Sequence, residues 1–131
     1  MSCLPLSQLS QNNYLSKIRL VATDMDGTLT TKGKFSDVLL QTLQDLRKAN
    51  IKVIIVTGRS AGWVSGLSYY LPVVGAIAEN GGLFYPSQTE QAVAITSIPD
   101  VKKHREKLEA IFHKLQLDFP QIKESSDNRF R

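Results

Sequence analysis

Hydrophobic and polar positions change their period several times along the chain, and each change predicts an element. Ile18-Arg19-Leu20-Val21-Ala22-Thr23 is a β-prone run ending at Asp24 and then Gly27, which predicts a strand followed by a turn. Over residues 36–50 the apolar positions are Val38, Leu39, Leu40, Leu43, Leu46 and Ala49. Spacings of three and four residues lay these on one helical face, and Ser36 or Asp37 can cap its start. Residues 51–57 predict a second strand, whose Val53-Ile54-Ile55-Val56 centre implies burial on both faces. A second helix is expected over residues 60–70, weakened by Gly62 and Gly66. Residues 73–78 predict a third strand, closed by Glu79-Asn80-Gly81-Gly82.

Strand, helix, strand, helix, strand is the rhythm of parallel strands joined by right-handed crossovers, a Rossmann-like α/β half. The rhythm then changes. Leu83-Phe84-Tyr85 and residues 91–96 predict a hairpin around Pro86-Ser87-Gln88. A long amphipathic helix follows over residues 100–117, with Val101, Leu108, Ile111, Phe112 and Leu115 on its apolar side. The expected organisation is a polar leader over residues 1–16, a core over residues 17–96 and a further segment over residues 97–131. No internal repeat or low-complexity tract is present.

Composition narrows the class. The 131 residues are 42% hydrophobic and 21% charged, which excludes disorder, collagen and a disulfide scaffold. Purely apolar runs reach four residues, as in Val53-Ile54-Ile55-Val56, far short of a membrane span. The leader has neither a basic start nor an apolar run, so it is not read as a signal peptide. The lone Cys3 cannot form an internal disulfide, and the expected setting is reducing and cytoplasmic. The net charge of +4 splits into +2 over residues 1–50, −1 over residues 51–100 and +3 over residues 101–131. A helix face rich in Lys, Glu and Arg is ordinarily a solvated face, so neither nucleic acid nor membrane is expected as a partner.

The chemistry concentrates in Asp24-Met25-Asp26-Gly27-Thr28-Leu29. Two carboxylates two residues apart at the end of a strand can point to the same side of the sheet, and in open α/β sheets ligands bind at that end. Gly27 permits a sharp turn, and Thr28 offers a hydroxyl and an amide to an anion. Asp and Gly also follow strands simply because they make turns. The second signal, Thr57-Gly58-Arg59-Ser60, puts a hydroxyl, an unhindered amide and a guanidinium at a strand-to-helix turn, which suits phosphate. Alone it could be only a helix cap; with strands one and two adjacent, Thr57 falls near Asp24. Asn80 can reach the same region from the end of strand three or can form a turn with Gly81.

With both signals in place, the chain resembles the haloacid dehalogenase superfamily, specifically its sugar-phosphatase branch with an α/β cap (Cof-like and sucrose-phosphate-phosphatase-like enzymes). The resemblance runs from about Ile18 to Arg131. It includes Ala78-Glu79-Asn80-Gly81-Gly82, and Asp127-Asn128-Arg129-Phe130-Arg131 is similar to a cap strand of that branch. It implies three parallel strands of the core with their helices, plus the beginning of the α/β cap. It also implies that Asp24 is a nucleophile forming an aspartyl-phosphate. Asp26 would act as acid toward the leaving alcohol and then as base toward water, and Thr57 would hold the phosphoryl group. The phosphate contacts extend to Gly27, Thr28, Gly58, Arg59 and Asn80.

A carboxylate attacking a phosphate dianion meets like-charge repulsion, which a cation between them relieves. Mg2+ accepts such oxygen donors, with Asp24 and the Asp26 backbone carbonyl as its ligands. That leaves the Asp26 side chain for proton transfer, a role that a raised pKa assists. The family's catalytic lysine and Gly-Asp-rich acidic motif lie beyond the cap, and the sequence reaches neither; Lys102, Lys103, Lys107 and Lys114 belong to the helix face. The expected activity is Mg2+-dependent hydrolysis of a small phosphorylated metabolite. The alternative is an incomplete fragment that only binds phosphate or a partner and assembles as a homo-oligomer to cover its open edge.

Other motifs are absent. Gly27 comes too early, and Phe35 stands where a calcium loop needs its closing glutamate. No dinucleotide fingerprint or Walker lysine occurs. His104 and His113 are nine residues apart and do not form a metal pair. Trp63, Tyr69 and Tyr70 read as packing or interface residues.

Overall fold

The computed structural model describes residues 14–89 and 91–124, and the chain divides into two compact units between Ala94 and Ile95. In the first unit β1 (Leu20–Thr23), β2 (Lys52–Val56), β3 (Gly75–Ala78), β4 (Leu83–Pro86) and β5 (Val93–Ala94) form one sheet in the order β1-β2-β3-β4-β5. The first three strands are parallel, and β4 and β5 continue the sheet antiparallel. The helices α1 (Asp37–Lys48) and α2 (Ala61–Tyr70) make the two crossovers. All lie inside the windows that periodicity predicts except β4, which runs one residue further, to Pro86. Most of the expected leader lies outside the described residues. Its last residues enter a short 3-10 turn, Tyr14–Lys17, which the sequence reading left as leader. The 127–131 segment likewise lies outside the described residues.

Each boundary has a local cause. Ser36 caps α1, its hydroxyl accepting the Leu39 N–H at 3.2 Å. At the other end Asn50 takes the left-handed conformation (φ 57°). The Asn50 and Ile51 N–H groups then donate back to Arg47 and Leu46, the double bond that closes helices at such a residue. Gly75 opens β3 where β4 comes close. A Cβ there would lie 2.5 Å from the Tyr85 carbonyl oxygen and 2.7 Å from the Phe84 ring.

Monotonic strand order with right-handed crossovers sends α1 and α2 to the same side of the sheet, and the core sits there. Met25, Leu43, Val53, Ile55, Val64, Val73, Ala76 and Ala78 are buried, with Val21, Leu39, Leu46 and Leu67 packed on them. The register pairs Val21 with Val53 and Ala22 with Ile54, so alternate residues face opposite ways. Burial of β2 on both faces is therefore corrected: Val53 and Ile55 are buried, Ile54 is half-buried and Val56 is 38% exposed. Both helices that could cover the strand among the described residues of this unit belong to one side.

The second unit carries α3 (Val101–Asp118), capped by Asp100, whose carboxylate accepts the Lys103 N–H at 2.9 Å. Its apolar stripe is exposed at Val101, Leu108, Ile111 and Leu115, while Phe112 and Gln116 are half-buried. No helix among the described residues is long and apolar enough to cross a membrane.

Candidate active site

The site is assembled at the carboxyl ends of β1, β2 and β3. Past β1 the alternation continues for three residues: Asp24 is exposed, Met25 is fully buried and Asp26 is exposed. Burying the Met25 side chain in the core is what turns both carboxylates outward. The backbone then coils. Thr28, Leu29 and Thr30 N–H groups all donate to the Met25 carbonyl at 3.0–3.3 Å. Gly27 permits the coil with φ 83°, and its N–H donates to the Thr30 hydroxyl at 3.1 Å. The Thr28 hydroxyl donates to Asp24 Oδ2 at 3.0 Å, which orients that carboxylate. A tight Thr31–Lys34 bridge follows, turning through Lys32 and Gly33, both at positive φ.

At the end of β2, Thr57 is buried. Its N–H donates to the Ile77 carbonyl of β3, and its hydroxyl accepts the Arg59 N–H at 3.2 Å. Gly58 is where Asn80 comes in: a Cβ on Gly58 would lie 2.8 Å from Asn80 Oδ1. Asn80 also bends the chain after β3, with φ 53° and ψ 35°. Glu79 beside it is likewise left-handed (φ 53°), and two such non-glycine residues in succession store strain. Two bonds hold them. Glu79 N–H donates to the Arg59 carbonyl at 2.9 Å, and Glu79 Oε1 accepts the Ala61 N–H at 3.0 Å. Ser60, at the N-cap position of α2, makes no side-chain cap bond. A carboxylate from the end of the third strand serves the helix N-terminus instead.

Arg59 joins the two halves. Its Nε and Nη2 fork the Asp26 carboxylate at 3.0 and 3.1 Å, and its Cζ lies 4.8 Å from the centroid of the Trp63 ring. These guanidinium hydrogen bonds, with the positive charge behind them, hold the Asp26 carboxyl below its ordinary 3.8 against the opposing effect of desolvation. The raised pKa that would assist an acid is therefore not what this arrangement gives.

The predicted residues thus fall into contacting groups: Asp24 with Thr28, Asp26 with Arg59, Thr57 with the Arg59 amide, and Gly58 with Asn80. Sequence reasoning missed Glu79 and did not pair Trp63 with Arg59. Trp63 carried a usable signal, standing four residues beyond Arg59 at the spacing that brings side chains together on a helix. Glu79 carried none, being 18 residues from the amide it caps. Cavities of about 560 to 660 Å³ lie elsewhere, lined by Tyr69, Tyr70, Pro72 and Pro86 among others, and none includes the carboxylates.

No group of three or more His, Cys, Asp or Glu side chains suited to a metal occurs among the described residues. The donor set still fits a hard cation in part. Asp24 is an exposed carboxylate oriented by one hydroxyl, and Mg2+ sites commonly use one or two carboxylates, leaving other positions to water and phosphate.

Paired carboxylates beside a Thr-Gly-Arg turn stand at the carboxyl ends of the parallel strands, the place where open α/β sheets bind ligands. The sequence profile of the haloacid dehalogenase-like hydrolases matches residues 21–126, and the chain belongs to that family. A phosphoglycolate phosphatase of Staphylothermus marinus is 37% identical over 83 residues, which are 60% of this chain and 34% of that protein. One from Picrophilus torridus is 37% identical over 71 residues, covering 53% and 29%. The chain thus spans about a third of the length of these relatives. Among solved structures, the C-terminal domain of Candida albicans trehalose-6-phosphate phosphatase superposes with TM-score 0.68 at 25% identity, covering 90% of this chain and 43% of that one. A Thermoplasma acidophilum protein gives 0.67 at 23% identity, over 87% and 48%, a likeness of fold alone.

Proposed function

We propose that the chain carries the nucleophile half of a phosphatase for a small phosphate monoester, a phosphorylated sugar or comparable metabolite, in a reducing, cytoplasmic setting. The observation that carries the reading is the outward pair Asp24 and Asp26 flanking buried Met25, with Thr57, Gly58 and Asn80 at the neighbouring strand ends. Asp24, steadied by Thr28, attacks phosphorus through its carboxylate oxygen. The P–O bond to the alcohol breaks, and the alcohol takes a proton from Asp26. Water then attacks the aspartyl-phosphate and gives its proton to Asp26, releasing phosphate and restoring Asp24. In the described state Arg59 holds the Asp26 carboxylate, an arrangement that suits the second half. For the first half Arg59 has to leave Asp26, and a phosphoryl oxygen is a competing acceptor for the same guanidinium edge. Thr57 and the Gly58 amide are the further phosphate contacts, with Asn80 beside them.

Mg2+, held by Asp24 and the Asp26 backbone carbonyl, would supply charge screening between carboxylate and phosphate. Turnover of p-nitrophenyl phosphate with Mg2+, lost in Asp24→Asn, is the expected result; a rate that survives Asp24→Asn would contradict the reading.

A second reading is phosphate binding without turnover. It is favoured by the absence of a third acidic group near the pair among the described residues. It would show as phosphate affinity with no hydrolysis that depends on Asp24. In either case β1, the edge strand among the described residues, with Leu20 half exposed, offers its outer backbone edge to a second copy. A homo-oligomer by light scattering is expected, and a stable monomer would contradict that part.

A further inference from the structure

The Arg59 guanidinium is held from two sides. Its edge is forked onto Asp26, and its face lies on the indole of Trp63 in the first turn of α2. The two contacts differ in what they permit. An ion pair between half-exposed groups holds weakly, and it consumes the N–H edge that would grip a ligand. The indole takes only the flat face and leaves the edge available for exchange of acceptors. An exposed arginine loses rotamer freedom on gripping an anion, and that loss weakens binding unless the side chain is already gathered.

We propose that Trp63 is a positioning residue for phosphate recognition: its indole keeps Arg59 at the mouth of the site, so that the guanidinium passes from Asp26 to a phosphoryl oxygen without being gathered from solvent. The inference rests on the phosphate-monoester reading and deepens it. It assigns a role to a residue outside both motifs, and it makes the arriving anion the agent that frees Asp26. No bond of the reaction is made or broken by Trp63.

Trp63 is the single tryptophan of the chain, so its emission reports on the stack directly. The test is calorimetric titration of the full 131-residue chain with inorganic phosphate in MgCl2, with emission followed in parallel and melting curves confirming that each variant folds. Wild type is expected to bind phosphate with a change in emission, and Arg59→Ala to abolish that change. Trp63→Ala is expected to bind about 2- to 5-fold more weakly, the worth of an exposed cation–π contact. Trp63→Phe, which restores a flat face, is expected to recover most of the loss. Equal affinity in Trp63→Ala and wild type, equal weakening in Ala and Phe, or an emission change undiminished in Arg59→Ala would overturn the inference while leaving the phosphate reading intact. Wild-type protein that binds no phosphate would remove both. The emission arm uses neither Trp63 variant, so an undiminished change in Arg59→Ala overturns the inference even if Trp63→Ala fails to fold.

Discussion

The turn after β1 closes on itself, with three N–H groups gathered on the Met25 carbonyl and Thr28 bonded back to Asp24, all within seven residues. The turn after β2 is held from a distance. Glu79 donates to the Arg59 carbonyl and caps Ala61, Asn80 fills the space over Gly58, and Arg59 reaches Asp26 across 33 positions. Both turns present polar groups at the same end of the sheet. The first is a local device that needs one buried side chain as its anchor. The second is a junction of three strand ends, and its shape depends on all of them at once.

Removing the anchor of the local turn should have the largest effect. Met25 is fully buried, and Met25→Ala is expected to cost about 3 kcal/mol, the range for truncating a core side chain. Urea unfolding measures it; a loss below about 1 kcal/mol would mean that the coil holds itself without the anchor. Next comes the junction. Glu79→Ala removes the cap of α2 and should cost about 1 kcal/mol. Glu79→Gln, which keeps an acceptor but not the charge, should recover part of it. Identical stability of Glu79→Ala and wild type would show that the second turn does not depend on its distant partner.

The Asp26–Arg59 fork comes third. Asp26 has its carboxyl lowered below 3.8 when folded, so its contribution is present above 3.8 and fades as pH falls through the lower folded value. Because both side chains are half exposed, the contribution at neutral pH is at most about 1 kcal/mol. The stability gap between wild type and Asp26→Asn should therefore close between pH 5 and pH 2, and a gap that widens on acidification would contradict the assignment. The smallest effect on stability belongs to Gly58→Ala. The obstructing atom is the tip of Asn80, which can swing aside, so stability should stay within about 0.5 kcal/mol while phosphate affinity falls as Asn80 is displaced.

The same contrast explains what the sequence made legible. Ser36 before a three-and-four stripe and Asp24 and Asp26 two residues apart are short-range signals, and each led to the right element or orientation. Burial of β2 was misjudged because a run of four apolar residues records what a strand could bury, not how many layers cover it. The cap of α2 was not legible: it comes from Glu79, whose approach depends on the β2–β3 pairing and on two strained residues. The lowered Asp26 carboxyl was unreadable for the same reason, since its cause is a guanidinium 33 residues away.

The claim on which everything else depends is that Asp24 is the nucleophile. Incubating the chain with Mg2+ and acetyl phosphate, reducing any acyl phosphate with borohydride and mapping the product by mass spectrometry tests it directly. The account predicts homoserine at position 24. Modification at Asp26 or Asp37 instead, or at no aspartate at all, would contradict it.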